Sequence, residues 1–167
     1  MRIAAIMLGF AAMMLAATAA PAPKAGIADL SALPIVTMHP YDEQADADAA
    51  VAAAFARARK NHKRVLIDLG GNWCPDCIVL ANVMRLPGVA PFITAHYEVV
   101  AVNVGRFDTN LQIPARFGIT GRLEGVPSVL IATPNGKLIN RGHTTALVDA
   151  RAMTPQAIID WLASWTK

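Results

Sequence analysis

The chain has 167 residues, of which 54% are hydrophobic and 16% charged, and it carries a formal net charge of +3. This length fits one domain of ordinary size, and the apolar content excludes a wholly disordered chain. Only two cysteines are present, which excludes a disulfide-rich scaffold and a four-cysteine zinc site. The positive charge is spread along the chain without a long basic run, so nucleic acid is not expected as a partner.

Residues 1–19 have the pattern of a secretory signal peptide. Arg2 gives a short positive start, residues 3–15 hold no charge and no proline, and small residues follow. This order is typical of a cleaved signal, with Ala17-Thr18-Ala19 as the expected cleavage motif. The sequence therefore predicts an exported protein, periplasmic or secreted, with no stable membrane span after cleavage. An uncleaved membrane anchor is the alternative, because residues 3–20 just reach the length of a spanning helix.

The residues after the signal divide into a leader and one domain. Residues 20–41 hold four prolines and no regular period, so they are expected to form an extended leader. Residues 42–167 are expected to form the domain. Its first predicted element is a helix over 42–61, whose acidic start and basic end suit the helix dipole.

Strand and helix patterns alternate through the rest of the domain. Strands are predicted over 65–69, 97–104 and 128–132, and helices over 74–84 and 156–165. Residues 108–117 are predicted as a short helix or loop, and the turn at Asn135-Gly136 leads into residues 137–140 to complete a hairpin. This order predicts an α/β domain with an extra N-terminal helix.

The chemically distinctive segment is Trp73-Cys74-Pro75-Asp76-Cys77. At the start of a helix, Cys74 would lie near free N–H groups and the positive end of the dipole, which stabilise a thiolate. Cys77 follows one turn later, where it can attack a mixed disulfide on Cys74. Pro75 suits the first helical position, because its missing N–H costs nothing there. The negative charge of Asp76 is favourable at a helix start but repels a thiolate nearby. The sequence therefore does not give the sign of its net effect on the pKa of Cys74.

Two other functions for the cysteine pair remain open. The first is a structural disulfide in a non-catalytic binding or chaperone module, although so short a ring adds little stability. The second is a metal carrier, in which histidines would complete the site. The four histidines lack the spacing of a zinc site. A redox pair is favoured, because C-x-x-C stands beside an α/β pattern, and no metal site is predicted.

Residues 68–77 resemble the active-site strand, loop and helix start of thioredoxin-like proteins. An aspartate six residues before the first cysteine and a tryptophan directly before it both match. Gly125-Val126-Pro127-Ser128, with the apolar run after it, is similar to the family's cis-proline segment and following strand. Asn135-Gly136 is similar to its next hairpin turn. The resemblance covers residues 65–167 and implies a thioredoxin-like fold, with a central mixed sheet flanked by helices.

The resemblance, together with the chemistry of the residues, implies their roles. Asp68 lies in an otherwise apolar strand, so it is expected to be buried, with a raised pKa, and to exchange a proton with Cys77. The backbone of Val126 and the cis-proline Pro127 are expected to bind an extended substrate segment beside the disulfide. Trp73 is expected to shield the sulfurs and to offer an apolar contact surface.

The predicted activity is thiol–disulfide exchange with protein substrates through Cys74 and Cys77, with a lean toward reduction. The pair carries the electrons itself, so no bound cofactor is expected; the partners are protein thiols or disulfides and an unidentified redox partner. Gly70 and Gly71 are expected to give the backbone freedom that exposes Cys74.

The sequence departs from ordinary thioredoxins between the two cysteines. The dipeptide Pro75-Asp76 replaces their Gly-Pro and is similar to that of small thioredoxin-related proteins with Trp-Cys-Pro-Asp-Cys. No long helical insertion separates Cys77 from Pro127, which disfavours the strongly oxidising members that carry one. No dimerisation domain precedes the motif, so a monomer is expected.

Overall fold

A computed structural model describes residues 18–167 of the protein. Its helices are α1 (Ala47–Asn61), α2 (Pro75–Val83), α3 (Ala90–His96), α4 (Gln112–Ala115) and α5 (Pro155–Ser164). Its strands are β1 (Arg64–Gly70), β2 (Tyr97–Asn103) and β3 (Ser128–Ala132), and short 3-10 turns cover Leu30–Ala32 and Ala150–Ala152. Residues 1–17 of the predicted signal peptide lie outside the described residues. No helix within 18–167 is long and apolar enough to cross a membrane.

Strand β1 lies at the centre of the sheet that forms within residues 18–167, in the order β2-β1-β3. β2 runs parallel to β1, whereas β3 runs antiparallel to it. Side chains of β1 alternate between two cores: Val65 and Ile67 pack with α1, and Leu66 packs with α2 and α5. The predicted α/β architecture, a mixed sheet flanked by helices with a further helix before it, is therefore confirmed.

Helix α1 begins later than the sequence predicts. Asp46 caps it, because its carboxylate accepts a hydrogen bond from the N–H of Ala49 at 3.0 Å. Asp42 instead accepts one from the N–H of Gln44, which holds the preceding residues in a turn. Of the acidic residues at the start of the predicted helix, Asp42 therefore stabilises a turn and Asp46 caps the helix.

The hairpin predicted after β3 forms, but its second arm is too short to count as a strand. Leu138 bridges Ala132 in the antiparallel sense, and the N–H of Ile139 donates to the carbonyl of Ile131 at 2.8 Å. The pairing ends at Asn140, which is fully buried. Its side-chain amide donates to the carbonyl of Val129 at 2.8 Å and accepts from the N–H of Ile131 at 2.9 Å. A side chain therefore satisfies backbone groups of β3 that a further strand would have paired.

Residues 20–41 form one 3-10 turn and several bends, with no strand or longer helix, and they pack against the rest of the chain. The N–H of Ala20 donates to Oγ1 of Thr166 at 2.8 Å. The side chain of Gln156 on α5 accepts from the N–H of Ala25 and donates to the carbonyl of Pro23, both at 3.0 Å. The beginning of the leader is therefore held along α5.

Candidate active site

Cys74 and Cys77 form a disulfide at the start of α2, with 5.3 Å between their Cα atoms. Cys74 is the N-cap residue of α2, and Pro75 occupies the first helical turn. The N–H of Cys77 donates to Sγ of Cys74 at 3.2 Å. This N–H is one of the free donors of a helix start, so it would stabilise a Cys74 thiolate once the disulfide is reduced.

Cys74 is less exposed than the sequence predicts. Cys74 keeps 3% of its surface exposed and Cys77 keeps none. The carbonyl oxygen of Val126 lies 3.5 Å from Sγ of Cys74, and the peptide bond between Val126 and Pro127 is cis. The expected exposure of Cys74 is therefore wrong for the oxidised protein, because the segment before β3 packs over the disulfide.

Gly70 and Gly71 supply space rather than unusual backbone conformations. Neither glycine has a positive φ. A Cβ on Gly70 would collide with the ring of Tyr41 and with Sγ of Cys77, and one on Gly71 would lie 2.6 Å from Nε1 of Trp73. Glycine is thus needed at both positions for close packing around the disulfide, and not for the freedom that the sequence analysis assigned to it.

Asp68 is buried in the central strand, with 1% of its surface exposed, as its apolar neighbours predict. Its Oδ1 accepts a hydrogen bond from the hydroxyl of Tyr41 at 2.9 Å. Burial raises the pKa of Asp68 to about 7, although the Tyr41 hydrogen bond and the positive charge of Arg85 both act to lower it. Burial likewise raises the pKa of Tyr41 well above its ordinary value. The Asp68 carboxyl can therefore take up and release a proton near neutral pH.

Asp76 is nearly buried and forms an ion pair with Arg151, from the 3-10 turn before α5. The Arg151 N–H donates to Oδ1 of Asp76 at 2.9 Å, and its Nε donates to Oδ2 at 3.1 Å. The electrostatic repulsion between Asp76 and a thiolate on Cys74 is reduced, because the positive charge of Arg151 neutralises the carboxylate. Arg151 was missed by the sequence analysis, since no spacing links it to the motif.

Trp73 is 37% exposed beside the disulfide. Its Nε1 donates to the carbonyl of Gly105 at 2.7 Å. The guanidinium of Arg106 lies 4.5 Å from the Trp73 ring centroid, and the ring of Phe107 lies 5.8 Å away, centroid to centroid. The loop after β2 therefore fixes the indole, leaving part of an aromatic surface in solvent next to Cys74.

Tyr41 is the second residue of the site that the sequence analysis missed. Its N–H donates to Oδ1 of Asn72 at 3.0 Å, and its carbonyl accepts from Nδ2 of Asn72 at 2.9 Å. Earlier in the leader, the Asn82 side chain on α2 binds the backbone of Val36 and Thr37. The leader thus runs along α2 and carries a tyrosine to the redox pair, although no motif in the sequence marks it.

Two of the four histidine rings pack against aromatic side chains. The ring centroid of His96 lies 4.6 Å from that of Phe92, and that of His143 lies 5.6 Å from that of Trp165. Within residues 18–167, no cluster of three or more His, Cys, Asp or Glu side chains is arranged to hold a metal ion.

A family model described as thioredoxin-like matches residues 46–134. The chain belongs to the thioredoxin-like family. The crystal structure of a disulphide isomerase from Xylella fastidiosa Temecula1 is 37% identical in sequence, with a TM-score of 0.71. That match covers 77% of this chain and 98% of the isomerase. The thioredoxin-like fold and its disulfide-bonded cysteine pair are therefore of the thiol–disulfide oxidoreductase type.

A more distant similarity is to a protein of unknown function from Pseudomonas aeruginosa. It is 22% identical, the match covers 72% of this chain and 84% of the other, and the TM-score is 0.38. Among curated proteins, no sequence matches this thioredoxin-like chain significantly.

Proposed function

We propose that the protein is an exported thiol–disulfide oxidoreductase that acts on protein disulfides, mainly as a reductase. One observation carries the proposal: the Cys74–Cys77 disulfide lies at the start of α2, against the Val126 carbonyl and beside Tyr41, which binds the buried Asp68. The similarity to the Xylella fastidiosa disulphide isomerase supports the same class of chemistry. The two sulfurs carry two electrons between them, so the proposed reaction uses no bound cofactor.

The proposed reaction begins with the reduced pair. The Cys74 thiolate attacks one sulfur of a substrate disulfide, a mixed disulfide forms, and the other substrate sulfur leaves as a thiolate. Cys77 then gives its proton to the carboxylate of Asp68 and attacks Sγ of Cys74. This step re-forms the Cys74–Cys77 disulfide and releases the second substrate thiolate. Two electrons pass to the substrate, and a separate redox partner must reduce the pair again.

Substrate binding is assigned to the surface around Cys74. The Val126 backbone lies next to Sγ of Cys74, so an extended substrate segment that pairs with it would bring its disulfide to the nucleophile. Pro127 ends this segment in the cis form and leads into β3. The exposed part of Trp73, which precedes Cys74 directly, supplies an apolar contact. A monomer suffices for this arrangement, because every group named here comes from one chain.

Export is proposed from the signal pattern of residues 1–19, with residues 20–41 as leader and 42–167 as domain. The N–H of Ala20 donates to Thr166, so the leader contacts the rest of the chain from the residue that would follow cleavage. N-terminal sequencing of protein recovered from an exporting host is expected to begin at Ala20. An intact Met1 in the membrane fraction would instead support an uncleaved anchor.

A trapping experiment tests the activity. Cys77→Ser keeps the nucleophile but cannot resolve a mixed disulfide, so it is expected to accumulate exported proteins covalently bound to Cys74. Cys74→Ser is the matched control and is expected to trap few or none. Equal trapping by both variants would contradict the choice of nucleophile. No trapping, with a pair that stays oxidised in glutathione buffers, would favour a non-catalytic binding module. Metal bound to the reduced protein and lost in Cys74→Ser would favour a metal carrier.

Disulfide isomerisation is a second candidate, because the 37% identical relative from Xylella fastidiosa is a disulphide isomerase. Reduction and isomerisation share the first attack and differ in what resolves the mixed disulfide. Insulin reduction and reactivation of scrambled ribonuclease separate them. Rapid insulin reduction with little reactivation is expected for the reductase, and the reverse pattern would replace it with the isomerase.

A further inference from the structure

We propose that Tyr41 is a positioning residue of the redox site, whose hydroxyl orients the Asp68 carboxyl and stabilises its ionised form for proton transfer from Cys77. The role in exchange rests on the proposed function of the cysteine pair. The effect of Tyr41 on Asp68 itself is independent of that function. Tyr41 lies outside the family-matched residues 46–134, so the leader would complete a site that the family region does not contain by itself.

The geometry places three polar groups together under the active-site loop. Tyr41 is 2% exposed, and its hydroxyl donates to Oδ1 of Asp68 at 2.9 Å. The Tyr41 side chain and Sγ of Cys77 both lie within 3.0 Å of the point that a Cβ on Gly70 would occupy. The hydroxyl that binds the carboxyl therefore lies close to the sulfur whose proton the carboxyl would accept.

Few groups near Asp68 stabilise its ionised form, so the loss of this hydrogen bond would affect the carboxyl strongly. Within residues 18–167, Tyr41 is the one side chain that hydrogen-bonds the Asp68 carboxyl. Arg85, near the end of α2, is the cation that also favours ionised Asp68, and its guanidinium donates to the Ala81 carbonyl at 2.7 Å. Sγ of Cys77 lies beside the Tyr41 hydroxyl, next to Gly70, and becomes the proton-donating thiol once the disulfide is reduced. Without a donor hydroxyl, a carboxyl this deeply buried would favour its neutral form more strongly.

The position of Tyr41 is fixed through the active-site loop itself. Asn72 precedes Trp73 and Cys74, and it binds both the N–H and the carbonyl of Tyr41. The leader backbone and the loop that carries the nucleophile are thus joined residue to residue. Because the Tyr41 backbone is bound and its side chain is buried, the hydroxyl can orient a carboxyl without the cost of ordering a free side chain.

The test removes one hydroxyl at a time. Tyr41→Phe keeps the ring and loses the hydrogen bond to Asp68. Tyr97→Phe is the matched control, because Tyr97 is the other tyrosine of the chain, is also 2% exposed, and donates to the Leu162 carbonyl at 2.6 Å in the second core. Two quantities are measured: the titration of Asp68 in the reduced protein by carboxyl carbon-13 NMR, and the rate at which the mixed disulfide is resolved as a function of pH.

Tyr41→Phe is expected to raise the Asp68 midpoint by about one pH unit, which slows resolution about tenfold below the midpoint. Tyr97→Phe is expected to leave both curves unchanged. In the Asp68→Asn background, Tyr41→Phe should no longer alter the pH profile, because no carboxyl remains to be stabilised. Asn72→Ala, which releases the Tyr41 backbone, should shift the midpoint in the same direction and serves if Tyr41→Phe folds poorly.

The outcomes separate this inference from the proposed function. An unchanged Asp68 midpoint in folded Tyr41→Phe, or in Asn72→Ala where Tyr41→Phe does not fold, overturns the role of Tyr41 even if the wild type exchanges disulfides. A wild type that shows no exchange refutes the proposed function, whereas the NMR titration still decides whether Tyr41 acts on Asp68. A shifted midpoint with an unchanged rate profile also overturns the inference, because Asp68 would then not be the proton acceptor.

Discussion

Asp76 and Arg151 join the redox motif to the turn that precedes α5. The N–H and Nε of Arg151 bind the two carboxylate oxygens of Asp76, at 2.9 and 3.1 Å. Without this cation, the aspartate that follows Pro75 would add uncompensated negative charge beside a Cys74 thiolate. The ion pair therefore links a residue far along the chain to the reduction potential of the cysteine pair.

Arg151→Gln should make the cysteine pair more reducing. The uncompensated charge of Asp76 would destabilise the thiolate of the reduced state, and the disulfide would be favoured. Because the Arg151 side chain is 60% exposed, solvent screens the effect, and we expect the potential to fall by about 10–20 mV. Titration against a glutathione couple measures this. Arg116→Gln, which breaks the ion pair to Asp48 on α1, is the control. A raised potential would contradict the argument.

Asp68→Asn should stabilise the oxidised protein, and the gain should depend on pH. The unfolded chain ionises this residue near pH 3.8, whereas burial raises the pKa of Asp68 to about 7 in the fold. The pH-dependent contribution of Asp68 to the free energy of unfolding is therefore complete below pH 3.8, where the carboxyl is protonated in both states. It is lost as the pH rises through about 7. Above pH 7, the variant is expected to be more stable by on the order of 3–4 kcal/mol.

Urea unfolding of the oxidised protein at several pH values measures this difference. Asp160→Asn, at an exposed position on α5, is the control for the substitution itself. The advantage of Asp68→Asn should shrink toward zero near pH 4. An advantage of the same size at every pH would show that ionisation of Asp68 is not its cause.

Trp73→Ala should weaken the binding of protein substrates more than it slows the chemistry. The indole is held by the Gly105 carbonyl and by Arg106, and part of it faces solvent next to Cys74. Loss of such a rigid aromatic contact costs about 1–2 kcal/mol, so KM for a protein disulfide is expected to rise about 5- to 30-fold. The rate with a small disulfide such as hydroxyethyl disulfide should change little. An equal loss of rate with the protein disulfide and with hydroxyethyl disulfide would show that Trp73 acts in the exchange reaction itself rather than in substrate binding.

The local part of the site is predictable from the sequence, because Asp68, Cys74 and Cys77 lie on one strand, loop and helix start. The same holds for α5, where Oγ1 of Thr154 accepts from the N–H of Ala157 and Pro155 follows the cap. In these places, the residues that determine the structure are neighbours in the chain. Helix α3 is not predicted from the sequence. It has no side-chain cap, and its one buried residue, Ile93, forms no periodic apolar stripe.

The distant part of the site is not predictable in this way. Tyr41 is 27 residues from Asp68, and Arg151 is 75 residues from Asp76. Each contact depends on how a loop or leader returns to the sheet, and neither leaves a periodic or spacing pattern. The Val126–Pro127 segment is equally distant in the chain, and its place beside Cys74 is predicted by the family resemblance rather than by spacing. The electrostatics of the redox pair thus depend on residues that a motif search does not reach.

Asn140 is the clearest structural case of such a residue, and it yields a stability prediction. It is fully buried, and its amide binds the backbone of Val129 and Ile131 in β3. Asn140→Ala would leave a buried carbonyl and a buried N–H without partners, so the free energy of unfolding is expected to fall by about 2–4 kcal/mol. Asn61→Ala, which removes an exposed hydrogen bond to Glu98, should cost less than about 1 kcal/mol. Urea unfolding compares the two variants, and amide hydrogen exchange at Ile131 should accelerate in Asn140→Ala. Equal losses in both variants would show that β3 does not depend on the Asn140 amide.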